Sequence, residues 1–166
     1  MIIKELRDED FVNYKKPSMF IAFPHCNWKC ERECDMRVCQ NGALAQAPNI
    51  EIKIETIVDR YLSNPITKAM VIGGLEPFDD YRDLLELIWY FRFKKCADDI
   101  VIYTGYTESE LKSKGFLFDL QLYGPIIIKF GRFIPNQQPH YDEVLGVKLA
   151  SDNQYGKKIL AIERIL

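Results

Sequence analysis

No stretch of the 166 residues is apolar for long enough to cross a bilayer, which takes about 20 residues; the longest apolar runs, such as Ile126 to Ile128, fall far short. The first ten residues, Met-Ile-Ile-Lys-Glu-Leu-Arg-Asp-Glu-Asp, turn acidic early and lack the apolar stretch of a secretion signal. The expected setting is the cytoplasm, with no membrane partner. An excess of charge of one sign is also missing. The 22 basic and 24 acidic residues are interspersed and leave a formal net charge of −2, so no electrostatic footprint for nucleic acid stands out and none is expected as a partner. Internal repeats and low-complexity segments are absent as well. What is present is 48% hydrophobic and 13% aromatic, enough for one core of ordinary size in a chain too short for two. Residues 1–166 are therefore read as a single domain.

Cysteine is rare outside one place. Four of the five lie within fourteen residues, in Cys26-Asn-Trp-Lys-Cys30-Glu-Arg-Glu-Cys34-Asp-Met-Arg-Val-Cys39. In a reducing compartment such clustering is a poor disulfide framework and points instead to a metal or a catalytic thiol. The residues between the cysteines are mostly polar or charged, which argues against small apolar residues filling a core. Soft thiolates select iron–sulfur clusters, zinc or copper(I). Structural zinc usually draws its ligands from two well-separated Cys-x-x-Cys units, whereas here the ligand candidates share one loop with three, three and four residues between them. Three ligands from one loop would leave one iron of a cubane open, as a catalytic cluster requires; four would close it.

The rest of the chain alternates. Ser-Met-Phe-Ile-Ala-Phe, after Pro17, reads as a strand running directly into Pro24-His25-Cys26. Ile54, Ile57, Val58, Tyr61 and Leu62 follow helical spacing until Asn64-Pro65. Ala69-Met-Val-Ile72 reads as a buried strand ending in Gly73-Gly74; a helix follows from about Asp79 as cap, with Leu84, Leu85, Ile88 and Phe91 inward. Asp99 to Tyr103 is a further strand, Thr107-Glu-Ser-Glu110 a capping box for a short helix ending near Gly115, and Ile126 to Phe130 another strand. Such alternation predicts an α/β fold of parallel βαβ units with ligands gathered at the carboxyl ends of the strands. A complete eight-unit barrel takes about 250 residues, so a partial, open (βα) barrel with a mostly parallel sheet of four to six strands is expected. The last forty residues, broken by Pro135, Pro139, Gly146 and Gly156, carry no clear pattern.

With these motifs in order, the chain resembles the radical S-adenosylmethionine superfamily, and in particular the activating proteins of anaerobic ribonucleotide reductase. In that family a first strand leads into Cys-x-x-x-Cys-x-x-Cys, with Asn after the first cysteine and again two places after the last; Cys26-Asn27, Cys30 and Cys39-Gln40-Asn41 carry those features. The spacing after Cys30 departs from the pattern, and Glu33 stands where an aromatic is usual. Compact spacing favours Cys34 as the third ligand beside Cys26 and Cys30, with Cys39, which keeps the downstream Asn41, as its substitute or as a fourth ligand. Gly73-Gly74-Leu75-Glu76-Pro77 resembles the superfamily's Gly-Gly-Glu-Pro with Leu75 inserted, and Ile102-Tyr103-Thr104-Gly105-Tyr106 resembles a strand-end Tyr-Thr-Gly-Tyr. Tyr123-Gly124-Pro125 is similar to an Asp-Gly-Pro segment, and Ser151-Asp152-Asn153-Gln154 to a Ser-Ser-Asn-Gln.

The resemblance implies an oxidoreductase with a 4Fe-4S cluster on Cys26, Cys30 and Cys34 or Cys39. It implies S-adenosylmethionine held by Gly73, Gly74, Glu76, Thr104 and Asn153, and reductive cleavage of that cofactor to a 5′-deoxyadenosyl radical. Its implied partners are an electron donor and a protein substrate, a glycyl-radical enzyme such as anaerobic ribonucleotide reductase, in anaerobic metabolism. The readings set beside it are a zinc-stabilised interaction module without catalysis and a small radical enzyme acting on a peptide or metabolite. His25 reads as a solvated loop histidine, Cys96 as a packed or half-exposed thiol, and Trp89, Tyr90, Phe91 and Phe93 as a helix packed on the sheet.

Overall fold

The computed structural model describes residues 1–162; residues 163–166 of the single-domain reading lie outside the described residues. The chain opens with β1 (Ile2–Ile3), β2 (Glu5–Asp10) and β3 (Ser18–Phe23), then carries the cysteine loop on two short helices, α1 (Lys29–Cys34) and α2 (Gly42–Gln46). A short β4 (Ile50–Glu51) leads into α3 (Ile54–Ser63), β5 (Ala69–Gly74), α4 (Tyr81–Phe93), β6 (Asp99–Tyr103), α5 (Glu108–Ser113), α6 (Phe116–Gln121) and β7 (Ile126–Phe130). A hairpin of β8 (His140–Asp142) and β9 (Val147–Leu149) precedes a last strand, β10 (Tyr155–Ile159). The main sheet has the order β10-β7-β6-β5-β3-β2, with β3, β5, β6 and β7 parallel and both edge strands antiparallel. The architecture is α/β around a mixed, mostly parallel six-stranded sheet. None of the described helices is long and apolar enough to cross a membrane.

The strand sequences fit this arrangement because a parallel sheet covered on both faces needs apolar residues at every position. Met70, Ile72, Ile100, Ile102, Ile126 and Ile128 join the core under the helices, meeting Ile57, Val58, Leu84, Leu87, Ile88 and Phe91. Their sequence neighbours Val71, Val101 and Ile127 turn to the other face, where Tyr14, Leu145 and Leu149 cover them. The irregular C-terminal segment thus acts as the second cover of the sheet, and β10 extends it by pairing antiparallel with β7. Sequence periodicity left these elements, together with β1 and β2, unassigned.

Two boundaries differ from the expectations. A 3-10 turn over Pro77–Asp80 precedes α4, which starts at Tyr81 without a side-chain cap, because the Asp79 carboxylate is engaged by Asn27 and Tyr106 instead. In α3 the buried residues are Ile54, Ile57, Val58 and Tyr61, while Leu62, one step further round, is 46% exposed. The capping box of α5 is present: Thr107 Oγ1 accepts from Glu110 N at 3.3 Å, and Glu110 returns a carboxylate oxygen to Thr107 N at 2.8 Å.

Candidate functional site

The four parallel strands end at one edge, and the loops leaving β3, β5, β6 and β7 meet there around a cavity of about 350 Å³. The cysteine loop closes one side of it. Cys26, Cys30 and Cys39 line the cavity, while Cys34, the last residue of α1, is absent from the lining. The sequence brings three of its four clustered thiols to one wall by coiling residues 29–34 into less than two turns and letting the chain double back through Asp35 in the left-handed region at φ 49°. All five cysteines are free of disulfides, and Cys96 sits far off at the end of α4.

The donor chemistry of the three wall thiols fits a cluster. Burial pushes the Cys26 thiol up to about 11, and burial together with the neighbouring Cys39 raises Cys30 as well. Thiols in such surroundings ionise poorly by themselves, and bound iron supplies the positive charge that makes thiolate the stable form. Backbone donors are already in place for that charge: Trp28 N lies 3.2 Å from Cys26 Sγ, and Asn41 N lies 3.4 Å from Cys39 Sγ. Each comes from the residue two places after its cysteine, so the local turn that exposes the sulfur also solvates it. Among the described residues no three His, Cys, Asp or Glu side chains converge as on a single ion. The ligands of a cubane each hold a different iron and stand apart around it.

The loop is fastened to the strand ends by side chains that the motifs had singled out. Asn41 Nδ2 donates to Gly74 O at 2.6 Å. Asn27 N donates to Asp79 Oδ2 at 2.8 Å, and Asn27 Nδ2 to Tyr106 OH at 3.0 Å, while Tyr106 OH donates to Asp79 Oδ1 at 2.7 Å. Leu75 N reaches Phe23 O and Glu76 N reaches His25 O at 2.8 Å, continuing the β3–β5 contact beyond the strands. Gly74, just before Leu75, has a φ of 91° that suits glycine, and a Cβ there would stand 2.7 Å from Ala22 Cα.

Glu76 is buried at this junction. Its carboxylate accepts from Thr104 Oγ1 at 2.7 Å, Gly105 N at 2.8 Å and Phe78 N at 3.2 Å, while burial pushes it up to about 7. Glu76 therefore binds the end of β6 to the end of β5, and Thr104 relays the link by accepting from Tyr106 N at 3.0 Å. Gly73, Gly74, Glu76 and Thr104 all line the cavity. Asn153 stands behind the lining with its amide on Arg132 O at 2.9 Å, and its neighbour Gln154 takes the place on the wall. Tyr123-Gly124-Pro125 lies at the amino end of β7, with Tyr123 O accepting from Arg92, and takes no part in the cavity. His25 is exposed, with Nδ1 2.6 Å from Asp80 Oδ1.

Sequence reasoning missed the charged residues around the cysteines. Glu110 receives both Arg132 Nη2, at 2.8 Å, and Lys29 Nζ, and Arg132 Nε lies 3.4 Å from Glu33. Burial alone would raise the Glu110 carboxyl, but the hydrogen bonds from Arg132 and Lys29 outweigh it and hold the group well below the usual carboxylate range. Glu33, where an aromatic was expected, therefore belongs to an ionic brace between α1 and the far strand ends. One signal was available: Gly131-Arg132 follows an apolar strand just as Gly73-Gly74 and Thr104-Gly105 do.

Compared with known proteins, residues 18–146, most of the chain, match the family described as the 4Fe-4S single cluster domain. No curated protein and no solved structure gives a significant match.

Proposed function

The chain belongs to the family of 4Fe-4S single cluster domains, and from that premise we propose that its cluster is the site of reductive cleavage of S-adenosylmethionine. The reading rests on one observation: three, not four, of the clustered cysteines share the cavity wall with the Gly73-Gly74 and Thr104-Gly105 strand ends. Cys26, Cys30 and Cys39 would hold three irons and leave the fourth to a ligand in the cavity. A cavity of about 350 Å³ is within the range of small-ligand sites, about 300–1,000 Å³. The mixed, mostly parallel sheet is compatible with a partial barrel of the radical S-adenosylmethionine type.

A cluster held by Cys26, Cys30 and Cys39 would, when reduced, supply the electron for reductive cleavage of the sulfonium of S-adenosylmethionine. The chain's own residues bind, orient and shield. Gly73 and Gly74 let the backbone come close to the ligand, Glu76 and Thr104 fix the two strand ends against each other, and Asn41 ties the cysteine loop to the glycine turn. Leu145 and Leu149 fill the inner face of the sheet, so room is left for the cofactor but little for a second small molecule. That favours a substrate presented from outside, a polypeptide whose backbone glycine gives up its hydrogen. A glycyl-radical enzyme such as anaerobic ribonucleotide reductase has that chemistry, and an electron donor must reduce the cluster.

The test is electron paramagnetic resonance of the anaerobically reconstituted, reduced protein with and without S-adenosylmethionine. The expected result is a reduced-cluster signal that changes when the cofactor is added. A cluster signal indifferent to it would leave an electron-transfer protein, and tightly held zinc without iron would leave an interaction module.

A further inference from the structure

Asp79 lies in the turn Pro77–Asp80 between the end of β5 and α4, where an aspartate ordinarily caps the helix. Here α4 starts without a side-chain cap, and the half-buried Asp79 carboxylate is turned to the cysteine loop instead. Its Oδ2 accepts from Asn27 N, the amide next to Cys26, at 2.8 Å. Its Oδ1 accepts from Tyr106 OH at 2.7 Å, and that hydroxyl accepts in turn from Asn27 Nδ2 at 3.0 Å. All of these donors are neutral. Among the described residues no basic side chain forms an ion pair with Asp79: His25 is taken by Asp80, and Lys29 by Glu110 and Glu33. Anchoring the loop needs an acceptor; a carboxylate adds a charge that nothing nearby neutralises. The charge reaches the first sulfur, because burial, opposed by the Trp28 amide, is joined by the charges of Glu76 and Asp79 in pushing the Cys26 thiol up.

We infer that Asp79 is a positioning residue that holds the Cys26 turn and, through its charge, lowers the reduction potential of the cluster. The inference rests on a cluster held through Cys26, not on the substrate that cluster serves. Reduction passes one electron from an external reductant to the cluster, with no bond made or broken. The potential of such a cluster follows its net charge and its exposure to water. A fixed negative charge opposes the incoming electron. One unit charge several ångströms away, in surroundings of intermediate dielectric, shifts the reduction equilibrium by about threefold to tenfold; tenfold is about 59 mV for one electron.

The test is an anaerobic dithionite titration of the iron-reconstituted protein in the presence of redox mediators, with the reduced-cluster paramagnetic signal giving the potential. Asp79→Asn keeps an oxygen acceptor for Asn27 N and removes the charge; its cluster is expected to be reduced more easily, by about threefold to tenfold in the equilibrium. Tyr106→Phe keeps the charge and removes a donor that partly offsets it, so its cluster should be reduced less easily. A merely structural role would loosen the loop in both variants, admit water and raise both potentials; that result overturns the role of the charge. An unchanged potential in cluster-loaded Asp79→Asn overturns it too. If Asp79→Asn takes up no cluster, Tyr106→Phe decides alone: a lower potential supports the inference, and an equal or higher one overturns it. Failure of the unaltered protein to take up iron overturns the cluster reading itself.

Discussion

Cys34 and Cys39 differ in what surrounds their sulfurs. Cys39 shares a wall with Cys26 and Cys30 and has Asn41 N beside its sulfur at 3.4 Å, while Cys34 closes α1 away from the cavity. A thiolate ligand to iron gains from a backbone donor, so Cys39 is the ligand that the local turn is built to support. Cys39→Ala is expected to abolish the visible absorption and iron content of the reconstituted protein, and Cys34→Ala to leave both near the unaltered values. The reverse pattern would assign the third iron to Cys34, and loss of the cluster in both variants would mean four ligands and no open position. At this scale the sequence was legible where the chemistry is contiguous. Asn27 and Asn41 stand beside cysteines and proved to fasten the loop.

The central elements could be read because burial on both faces forces continuous apolar strands, and because helical spacing and a capping box are local signals. The edge strands and the hairpin were hidden by mixed composition: β10 exposes Tyr155, Lys157 and Lys158 and needs β7 to define it. The ionic brace was hidden by distance, since Lys29 and Glu110 are 81 residues apart and meet only through strand order. That brace gives α1 its position, because no residue of α1 or α2 is buried in the core. Glu110→Gln separates its two duties: a glutamine still completes the capping box, but the charge facing Arg132 and Lys29 is gone. The expected stability loss is about 1–3 kcal/mol, because Arg132, at 11% exposure, loses its charged partner, while Lys29 is partly solvated and adds little. The cluster should also be lost several times faster to air or chelator, measured as decay of its absorption. A Glu110→Gln protein that keeps its cluster as long as the unaltered one would mean that the cysteines alone hold α1 in place.

For the whole molecule, the same burial pattern separates stability from cofactor. The core beneath the helices is built from β3, β5, β6, β7, α3 and α4, and the opposite face is closed by Tyr14, Leu145 and Leu149, with no cysteine in either cluster of fully buried residues. Small zinc domains whose only core is the metal unfold without it; a sheet covered on both faces does not depend on its ligand in that way. Removing the cluster with a chelator is expected to leave a cooperative thermal transition, lowered by about 2–4 °C for each kcal/mol the cluster contributes. Hydrogen exchange should become fast across residues 26–47 and stay slow in β5 and β6, because the loop loses the iron that cross-links it while the strands keep their neighbours. An apoprotein without a cooperative transition, or with β5 and β6 exchanging as fast as the loop, would show that the cluster organises the fold as well as the site. The role of the sheet as a rigid platform for a removable cofactor would then have to be given up.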